Sequence, residues 1–545
     1  MIDLWYKDAV IYEVDVETYQ DSNGDGVGDF QGLIRRLPHI AGLGVTCIWL
    51  QPFYPSPNKD DGYDVSDYYA VDPRLGTLGD FVTFMRQARE RGIRVIADLV
   101  VNHTSDQHPW FLAARADKKS PYRDFYIWSK SKPKNAEEGV VFPGVQKSVW
   151  NYDQKAGEYF HHQFYKHQPD LDIANPAVRE EICKVMGFWL ELGLSGFRLD
   201  AAPFLHGQAG YGGLETPELF KHLEEFRQFL SWRSSGAIIL AEANVPLEEV
   251  PHYVGPGTQI HMLFNFLVNQ HLFLALARET AAPLAKLLKA LPDLPPTAQW
   301  ANFLRNHDEL DLGRLSEEER EEVYSAFAPD EDMRIYDRGI RRRLAPMLGG
   351  DRKRQRLAYS LMFSLPGTPV LRYGDEIGMG EDLSLPERLG VRTPMQWCAD
   401  KNAGFTPPKV RQPIRPVIAD GDFANEVINV ADQQREPQSL LNWMEHLLRV
   451  RKECPEFGWG NYTVLKTKPA GVLAHRCEWK DGAVIAVHNF AKSKATVQVE
   501  LDPGERLVEL LGARQHKGVD DPGSVELDGY GYRWFRVGGK QWLQP

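Results

Sequence analysis

Three acidic residues end or follow short apolar runs in separate parts of the chain. Asp200 closes the run GFRLD, Glu242 lies in AEAN, and Asp308 lies in RNHDE. Arg198 precedes Asp200 by two residues, and His307 directly precedes Asp308. Clustered carboxylates shift one another's pKa values and destabilise a fold, so such a cluster is most readily explained by chemistry. If the fold brings them together, the three carboxylates therefore indicate a catalytic site.

The elements that must position these carboxylates are short apolar runs that alternate with amphipathic segments. Eight such alternations predict an α/β fold, the (β/α)8 TIM barrel. The titratable residues fall at the C-terminal ends of the runs, where barrel enzymes place their active sites. The runs cover residues 9–14, 45–50, 93–101, 196–200, 237–243, 261–266, 300–308 and 367–376.

Three segments depart from the barrel rhythm. Residues 104–170, aromatic-rich in their second half, predict an inserted subdomain after strand 3. A charge-dense segment at 311–356 is interpreted as a solvated helical excursion. Short alternating strands near the C-terminus predict an antiparallel β-sandwich domain. The predicted domains are the barrel at 1–103 and 171–460, the inserted subdomain at 104–170, and the C-terminal β domain at 461–545.

The composition excludes several classes of protein. The net charge of −12 over 545 residues argues against a nucleic-acid binder, which would carry a basic footprint. The five cysteines are scattered, without the spacing of a zinc site or a disulfide framework, so a cytoplasmic location is expected. No signal peptide and no membrane-spanning run is recognisable.

The stretch DSNGDGVGDF at 21–30 places oxygen-bearing side chains at every second position, with glycines between them. Calcium takes about six to eight oxygen ligands, and an EF-hand loop supplies them at alternate positions. Asp21, Asn23 and Asp25 match the first three positions, but the twelfth is Gly32 rather than glutamate. The stretch is therefore a candidate divalent-cation loop, with an ordinary polar turn as the alternative and an EF-hand sensor disfavoured.

Several longer motifs resemble those of glycoside hydrolase family 13, the α-amylase superfamily. The resemblance covers nearly the whole chain and is strongest to trehalose synthases and α-glucosidase-like members. It implies a retaining mechanism on α-glucosides, with no organic cofactor. The motifs that carry it are NGDGVGDFQGL, PFYPSPNKDDGYDVSDY, HQPDLDIANP, RNHDEL, RRRLAPMLG and LPGTPVLRYGDEIGMG followed by GVRTPMQW.

The resemblance also implies roles for individual residues. Asp200 would be the nucleophile, Glu242 the general acid and base, and Asp308 would hold the sugar hydroxyls while the ring distorts. A pocket closed around a terminal glucose would favour small substrates. The substrate-binding residues would be Tyr63, Asp64, His103, Arg198, His307 and Arg392.

Metal sites are implied as well. The loop described above resembles a structural calcium site of the superfamily, whose ligands here would be Asp21, Asn23, Asp25, the Val27 carbonyl and Asp29. A second calcium would involve Asn102 and Asp172. The acidic ligand expected shortly after the nucleophile is missing, because His206 and Gly207 stand there.

Departures from the trehalose synthase pattern lie near the predicted acceptor side. Val245-Pro246-Leu247 replaces the usual Gln-Trp-Pro, and Glu17 stands where an arginine is common. The sequence therefore predicts a retaining α-glucoside hydrolase or transglucosylase, with maltose–trehalose isomerisation as the alternative. A non-catalytic binding protein is a remote alternative. The expected partner is a small α-glucoside rather than a nucleic acid or a membrane, bound by a monomer or homodimer.

Overall fold

The computed structural model describes residues 3–205, 217–410, 412–512 and 523–538. Eight parallel strands form a closed barrel in chain order, and the last strand pairs with the first through Val370 and Ile11. The strands are β1 (Ile11–Val14), β2 (Cys47–Leu50), β3 (Arg94–Leu99), β4 (Gly196–Leu199), β5 (Ile238–Ala241), β6 (Met262–Phe264), β7 (Gln299–Phe303) and β8 (Thr368–Arg372).

Large apolar side chains fill the barrel interior. Trp49, Ile96, Leu240, Phe264 and Phe303 share one buried cluster, because alternate strand residues point inward. The outward-facing residues pack against the surrounding helices in a second, larger cluster. The interior of the barrel is therefore a packed core.

The main α-helices lie outside the barrel and follow the alternation that the sequence predicts. The first of them is capped by Asp29, whose Oδ1 accepts a hydrogen bond from Gly32 N at 2.7 Å. The longer helices are Phe30–Leu43, Leu78–Glu90, Pro109–Ala116, Pro176–Glu191, Pro217–Arg233, Phe266–Ala277, Glu317–Phe327, Arg352–Ser364 and Leu440–Lys452. Shorter helices are Val16–Tyr19, Val250–Val254, Ala282–Leu288, Leu344–Met347, Val430–Arg435 and Glu456–Trp459.

Smaller sheets form the rest of the fold. The insertion after β3 contains strands Trp128–Ser129, Trp150–Asp153 and Glu158–His161, and the loop after β7 contains Leu310–Asp311, Arg334–Ile335 and Gly339–Ile340. The C-terminal region has a five-stranded antiparallel sheet and a two-stranded one, which share one apolar core. Their strands are Asn461–Val464, Val472–Trp479, Gly482–Asn489, Ala495–Gln498, Arg506–Glu509, Ser524–Leu527 and Tyr532–Gly538.

The predicted fold class is confirmed, with a difference at two strand ends. β4 stops at Leu199, before Asp200, and β7 stops at Phe303, before His307 and Asp308. Charged side chains at these positions leave the ladder and turn toward the open end of the barrel. None of the described helices is long and apolar enough to cross a bilayer.

Candidate active site

A cavity of about 550 Å³ lies at the C-terminal ends of the barrel strands. Asp200, Glu242 and Asp308 line it together, and so do Tyr63 and His103. The first two carboxylates directly follow β4 and β5, and the third follows β7 in the next loop. Closure of the barrel thus brings to one place three carboxylates that the sequence holds far apart.

Arg198 is a buried guanidinium that joins two of these carboxylates, Asp200 and Glu242, to a third one, Asp98. It lies on β4 and faces the same side as Asp200, because alternate residues of a strand share a face. Its Nη1 donates to Asp98 Oδ1 at 2.6 Å and to Asp200 Oδ1. Its Nη2 donates to Glu242 Oε2 at 2.7 Å. One positive charge therefore serves carboxylates from three neighbouring strand ends.

Asp200 and Glu242 differ in proton affinity. Burial raises the pKa of Asp200 to about 6, although Arg198 opposes this effect. Burial, partly opposed by Arg198, and the negative charge of Asp200 raise the pKa of Glu242 to about 7. Between these values an ionised Asp200 lies beside a protonated Glu242, which is the combination that a nucleophile and a general acid require.

A series of hydrogen bonds runs from β1 into the cavity through His307. Its Nδ1 donates to Glu13 Oε1 at 2.5 Å, and its Nε2 lies 2.7 Å from Tyr63 OH and 3.1 Å from Asp308 Oδ2. Burial alone would lower the pKa of His307, but Asp308 and Glu13 outweigh it and raise the pKa to about 9. His307 is therefore an imidazolium at neutral pH. Sequence reasoning missed Glu13, since no motif marks a buried carboxylate within an apolar run.

Two arginines from the segment after β8 close one side of the cavity. Arg388 Nη1 and Arg392 Nη2 both donate to Asp308 Oδ1, at 2.8 and 2.9 Å. Arg388 also donates to Asp60 at 3.0 Å, and Arg392 to Asp61 at 2.7 Å. Burial would raise the pKa of Asp308, but His307 and Arg388 hold it well below its usual range. Arg388 lines the cavity, although the sequence interpretation did not select it. Arg392 lies behind Asp308 and contacts that residue rather than the cavity itself.

The prediction that Asp64 closes the far side of the pocket is wrong. Its carboxylate accepts hydrogen bonds from Ser56 Oγ at 2.8 Å and from the backbone N–H groups of Lys59 and Asp60, at 3.2 and 3.1 Å. Asp64 therefore shapes its own loop, and Asp60 lines the cavity instead. The run NKDDGYDV does not reveal from spacing alone which carboxylate turns toward the backbone.

Tyr63 and His103 provide neutral polar groups to the cavity. The Tyr63 ring stacks on His307, with centroids 5.4 Å apart and planes at 12°. Burial lowers the pKa of His103 to about 4, so its imidazole is neutral at pH 7 and offers one N–H donor. Both groups can contact sugar hydroxyls without adding charge.

The loop after β7 forms another part of the cavity wall. Arg338 Nη1 donates to the carbonyl of Val141 in the insertion at 2.7 Å, and its other nitrogens contact Glu309 at 3.4 Å and Asp311 at 3.3 Å. The interpretation of 311–356 as a solvated excursion is therefore wrong for the hairpin that carries Arg338. Charge density alone does not separate an exposed helix from a charged cavity wall.

The segment after β5 lines the cavity with Asn244, Val245 and Glu249. Arg314 Nη2 donates to the Asn244 carbonyl at 2.6 Å and ties this segment to the loop after β7. The wall beyond Glu242 therefore presents an apolar Val245 where the resemblance implies a polar glutamine.

The predicted calcium loop is held by its own hydrogen bonds. Asp21 Oδ1 accepts from the backbone N–H groups of Asn23 and Gly24, at 3.0 and 2.6 Å, and Asn23 Oδ1 accepts from Asp25 N at 2.8 Å. Asp25 Oδ1 accepts from Val27 N at 2.8 Å. The oxygen donors fit calcium in kind. In the described part of the chain, no group of three acidic, histidine or cysteine side chains is arranged so that it could hold a metal ion, and calcium stays a prediction.

Asn102 and Asp172, where the resemblance implies a second calcium, both make hydrogen bonds within the chain. Asn102 Nδ2 donates to Asp170 at 3.2 Å, and Asp172 Oδ1 accepts from Ala174 N at 3.1 Å. Residues 206 and 207, where the missing ligand was noted, lie outside the described residues.

Comparisons with known proteins agree with this geometry. Residues 14–327 and 340–460 match the family model described as alpha amylase, catalytic domain, and residues 482–536 match the sucrose hydrolase-like C-terminal domain. The trehalose synthase of Pimelobacter sp. (strain R48) is 40% identical, covering 98% of this chain and 96% of that protein. The trehalose synthase/amylase of Mycolicibacterium smegmatis is 41% identical, covering 98% of this chain and 92% of that protein.

A solved structure shows the same architecture. The crystal structure of alpha-amylase from H. orenii superposes with a TM-score of 0.80 at 28% identity, covering 98% of this chain and 100% of that one. The barrel, the carboxylates at its strand ends and the match over most of the chain lead to the same conclusion: this protein belongs to the alpha-amylase family, glycoside hydrolase family 13.

Proposed function

We propose that the protein is a retaining enzyme that transfers glucosyl groups from small α-glucosides through a covalent intermediate on Asp200. The observation that carries this proposal is the guanidinium of Arg198, which holds Asp200 and Glu242 together at one cavity. Retaining glycosidases use two carboxyl groups about 5–5.5 Å apart as nucleophile and acid/base. Two carboxylates that share one guanidinium are suited to that double displacement.

The chemistry then follows from the charges. Asp200 attacks the anomeric carbon while Glu242 donates its proton to the departing glycosidic oxygen. In the second step Glu242 takes a proton from the acceptor, whose oxygen attacks the same carbon and releases Asp200. Asp308 binds the sugar hydroxyls, held ionised by His307 and two arginines. The face closed by Arg388 and Asp60 suits a terminal glucose, and thus a short substrate.

The acceptor decides the net reaction. Water would give hydrolysis, whereas a released glucose that re-orients and attacks would interconvert maltose and trehalose. The full-length similarity to proteins named trehalose synthase favours this second candidate at least as well as hydrolysis. The apolar Val245 on the acceptor side is the local feature that favours hydrolysis or another acceptor.

A cytoplasmic location is part of the proposal. All five cysteines are free thiols, as expected in a reducing compartment. The proposed function is compatible with either a monomer or a homodimer, since the residues that line the cavity belong to one chain.

Incubation with maltose and with trehalose, in the presence of isotopically labelled free glucose, tests the proposal. An isomerase yields the other disaccharide with little label incorporated, a hydrolase yields glucose, and a transferase incorporates label. Asp200→Asn is expected to abolish turnover of both disaccharides. Substantial residual turnover by that variant would refute the nucleophile assignment, and an inactive wild-type protein on a wider panel of α-glucosides would leave a binding role instead.

A further inference from the structure

Residues 405–410 and 412–415 connect the Asp21–Asp29 loop to the back of the cavity wall. At one end, Asp21 N donates to the Phe405 carbonyl at 2.9 Å, and Thr406 Oγ1 donates to Asp21 Oδ2. At the other end, Ile414 N donates to the Gly26 carbonyl at 2.8 Å. The loop therefore holds both ends of this segment, and the second contact lies next to Arg415.

Arg415 is buried and makes its contacts behind the active site. Its Nη1 donates to the carbonyl of Arg392 at 2.9 Å. Its Nη2 donates to Asp61 Oδ1, and Asp61 in turn accepts from Arg392 Nη1 at 2.7 Å. Arg392 is thus fixed through its backbone by Arg415 and through its side chain by Asp61. Arg392 is also a donor to Asp308 in the cavity.

The charges around Arg415 show why a cation is needed there. Glu17 Oε1 lies 3.2 Å from Arg415 Nη2, and its other oxygen lies 2.9 Å from Arg74 Nη1. Burial and the charge of Asp61 raise the pKa of Glu17 to about 7, whereas Arg415 and Arg392 overcome burial and hold the pKa of Asp61 at about 2. Without Arg415, two buried carboxylates would face each other with less compensation.

We propose that Arg415 is a positioning residue for the glucose-binding side of the cavity, and that the Asp21–Asp29 loop presents it there. Arg415 fixes Asp61 and Arg392, and Arg392 in turn helps to hold Asp308 in the orientation that binds sugar. The kinetic consequence rests on the proposed function, whereas the structural consequence does not. The loop thereby acts on the site through the chain itself, whether or not it binds an ion.

The first test compares Arg415→Gln, Arg415→Lys and the control Arg476→Gln. Arg476 likewise pairs with a carboxylate, and its two bonds to Glu505 lie in the C-terminal domain. Arg415→Gln is expected to lower kcat/KM for 4-nitrophenyl α-glucoside, and to weaken binding of 1-deoxynojirimycin, by about ten- to a hundredfold. Arg415→Lys recovers part of both, because it keeps the charge but not the planar fork. Arg476→Gln changes neither.

The second test perturbs the loop while leaving Arg415 in place. Gly26 has φ of +97°, and a Cβ there would lie 2.8 Å from the Gln412 carbonyl. Gly24 has a similar φ of +83°, but a Cβ there would make ordinary contacts with the side chains of Pro407 at 3.6 Å and Lys409 at 3.8 Å. Both Gly26→Ala and Gly24→Ala place an alanine in the left-handed backbone region and so strain the loop equally in kind. Of the two, Gly26→Ala is the one that clashes with the Gln412 carbonyl and displaces the segment that carries Arg415. Gly26→Ala is expected to reproduce the kinetic loss of Arg415→Gln, and Gly24→Ala is not.

Amide hydrogen exchange separates this inference from the proposed function. Residues 57–64 and 388–396 should exchange faster in Arg415→Gln and Gly26→Ala, and at the wild-type rate in Gly24→Ala and Arg476→Gln. Unchanged exchange in Arg415→Gln, or equal effects of the two glycine variants, would overturn the positioning role. If Arg415→Gln exchanges faster but the wild-type protein is inactive and does not bind 1-deoxynojirimycin, the proposed function is overturned and the positioning role is not.

Discussion

Single buried carboxylates behind the cavity determine the charge of the groups that line it. Glu13 and Asp98 are fully buried, and each contacts a cation that itself contacts a cavity carboxylate. Glu13 supports the imidazolium of His307, and Asp98 binds Arg198. The protonation states that catalysis needs are therefore set one layer below the surface that meets the sugar.

The rate is expected to follow a bell-shaped dependence on pH. Below about 6 Asp200 becomes protonated and loses its nucleophilicity, and above about 7 Glu242 loses the proton that it must donate. A profile of kcat/KM for 4-nitrophenyl α-glucoside from about pH 4.5 to about pH 9 measures both limbs. A rate that keeps rising above pH 8 would contradict the role of Glu242 as the acid.

Glu13→Gln is expected to make activity fall more steeply at alkaline pH. Loss of this carboxylate removes one of the two charges that raise the His307 pKa to about 9, so the imidazolium deprotonates closer to its ordinary value near 6.5. The variant should lose more kcat/KM at pH 8 than at pH 6.

Glu376→Gln is the matched control for that experiment. Glu376 is also fully buried and also contacts a histidine, His39, at 3.0 Å, but it does not line the cavity. Equal losses in the two variants at both pH values would show that Glu13 has only a structural role.

At the scale of elements, loops rather than strands carry what is particular to this protein. The eight barrel strands were predictable, because buried parallel strands read as apolar runs between amphipathic helices. The three catalytic candidates were predictable from their motifs. Asp60 and Arg388 were not, since their roles depend on how two loops fold against each other after closure of the barrel. The position of Arg338 at the cavity wall was not predictable, because a charge-dense segment has the same sequence pattern in an exposed helix and in a cavity wall.

The Asp21–Asp29 loop gives a prediction at this scale. If it binds calcium, EDTA should lower the melting temperature, and added calcium should restore it. The reaction rate well below the melting temperature should change little, because the ion takes no part in glycosyl transfer. Differential scanning calorimetry of the wild-type protein and Asp25→Asn, with and without EDTA, makes the comparison. A melting temperature that is insensitive to EDTA and calcium favours the polar-turn alternative.

At the scale of the whole molecule, the C-terminal domain packs on the barrel through two buried histidines. His475 Nε2 lies 2.8 Å from the Ser364 carbonyl, and His488 Nε2 lies 2.9 Å from Ser360 Oγ, both on the helix that precedes β8. Their rings are parallel, with centroids 6.1 Å apart. Burial lowers the pKa of both, that of His475 to about 4. The contact between the two domains therefore favours the neutral form of both imidazoles.

Stability is expected to fall as pH decreases from about 6.5 toward 4. Over this window the unfolded chain binds protons that the folded histidines do not, so each contributes a slope of about 1.4 kcal/mol per pH unit. His475→Gln should flatten the dependence of the unfolding free energy on pH, measured by urea denaturation at several pH values. The exposed His446→Gln serves as control. An unchanged slope in His475→Gln would show that other groups govern acid unfolding.

The long sequence separations within the site have a consequence for how the protein is made. The Glu13–His307 contact joins residues 294 apart, and the Arg415–Asp61 contact joins residues 354 apart. A growing chain can therefore close its barrel only after β8 has been made, and the contact between Arg415 and Asp61 forms later still. Until β8 is made, β1 pairs with β2 but lacks its other neighbour, so one edge of the growing sheet stays unpaired. The chain is therefore inactive during most of its synthesis. Its catalytic groups come together late, within a short part of the chain's synthesis.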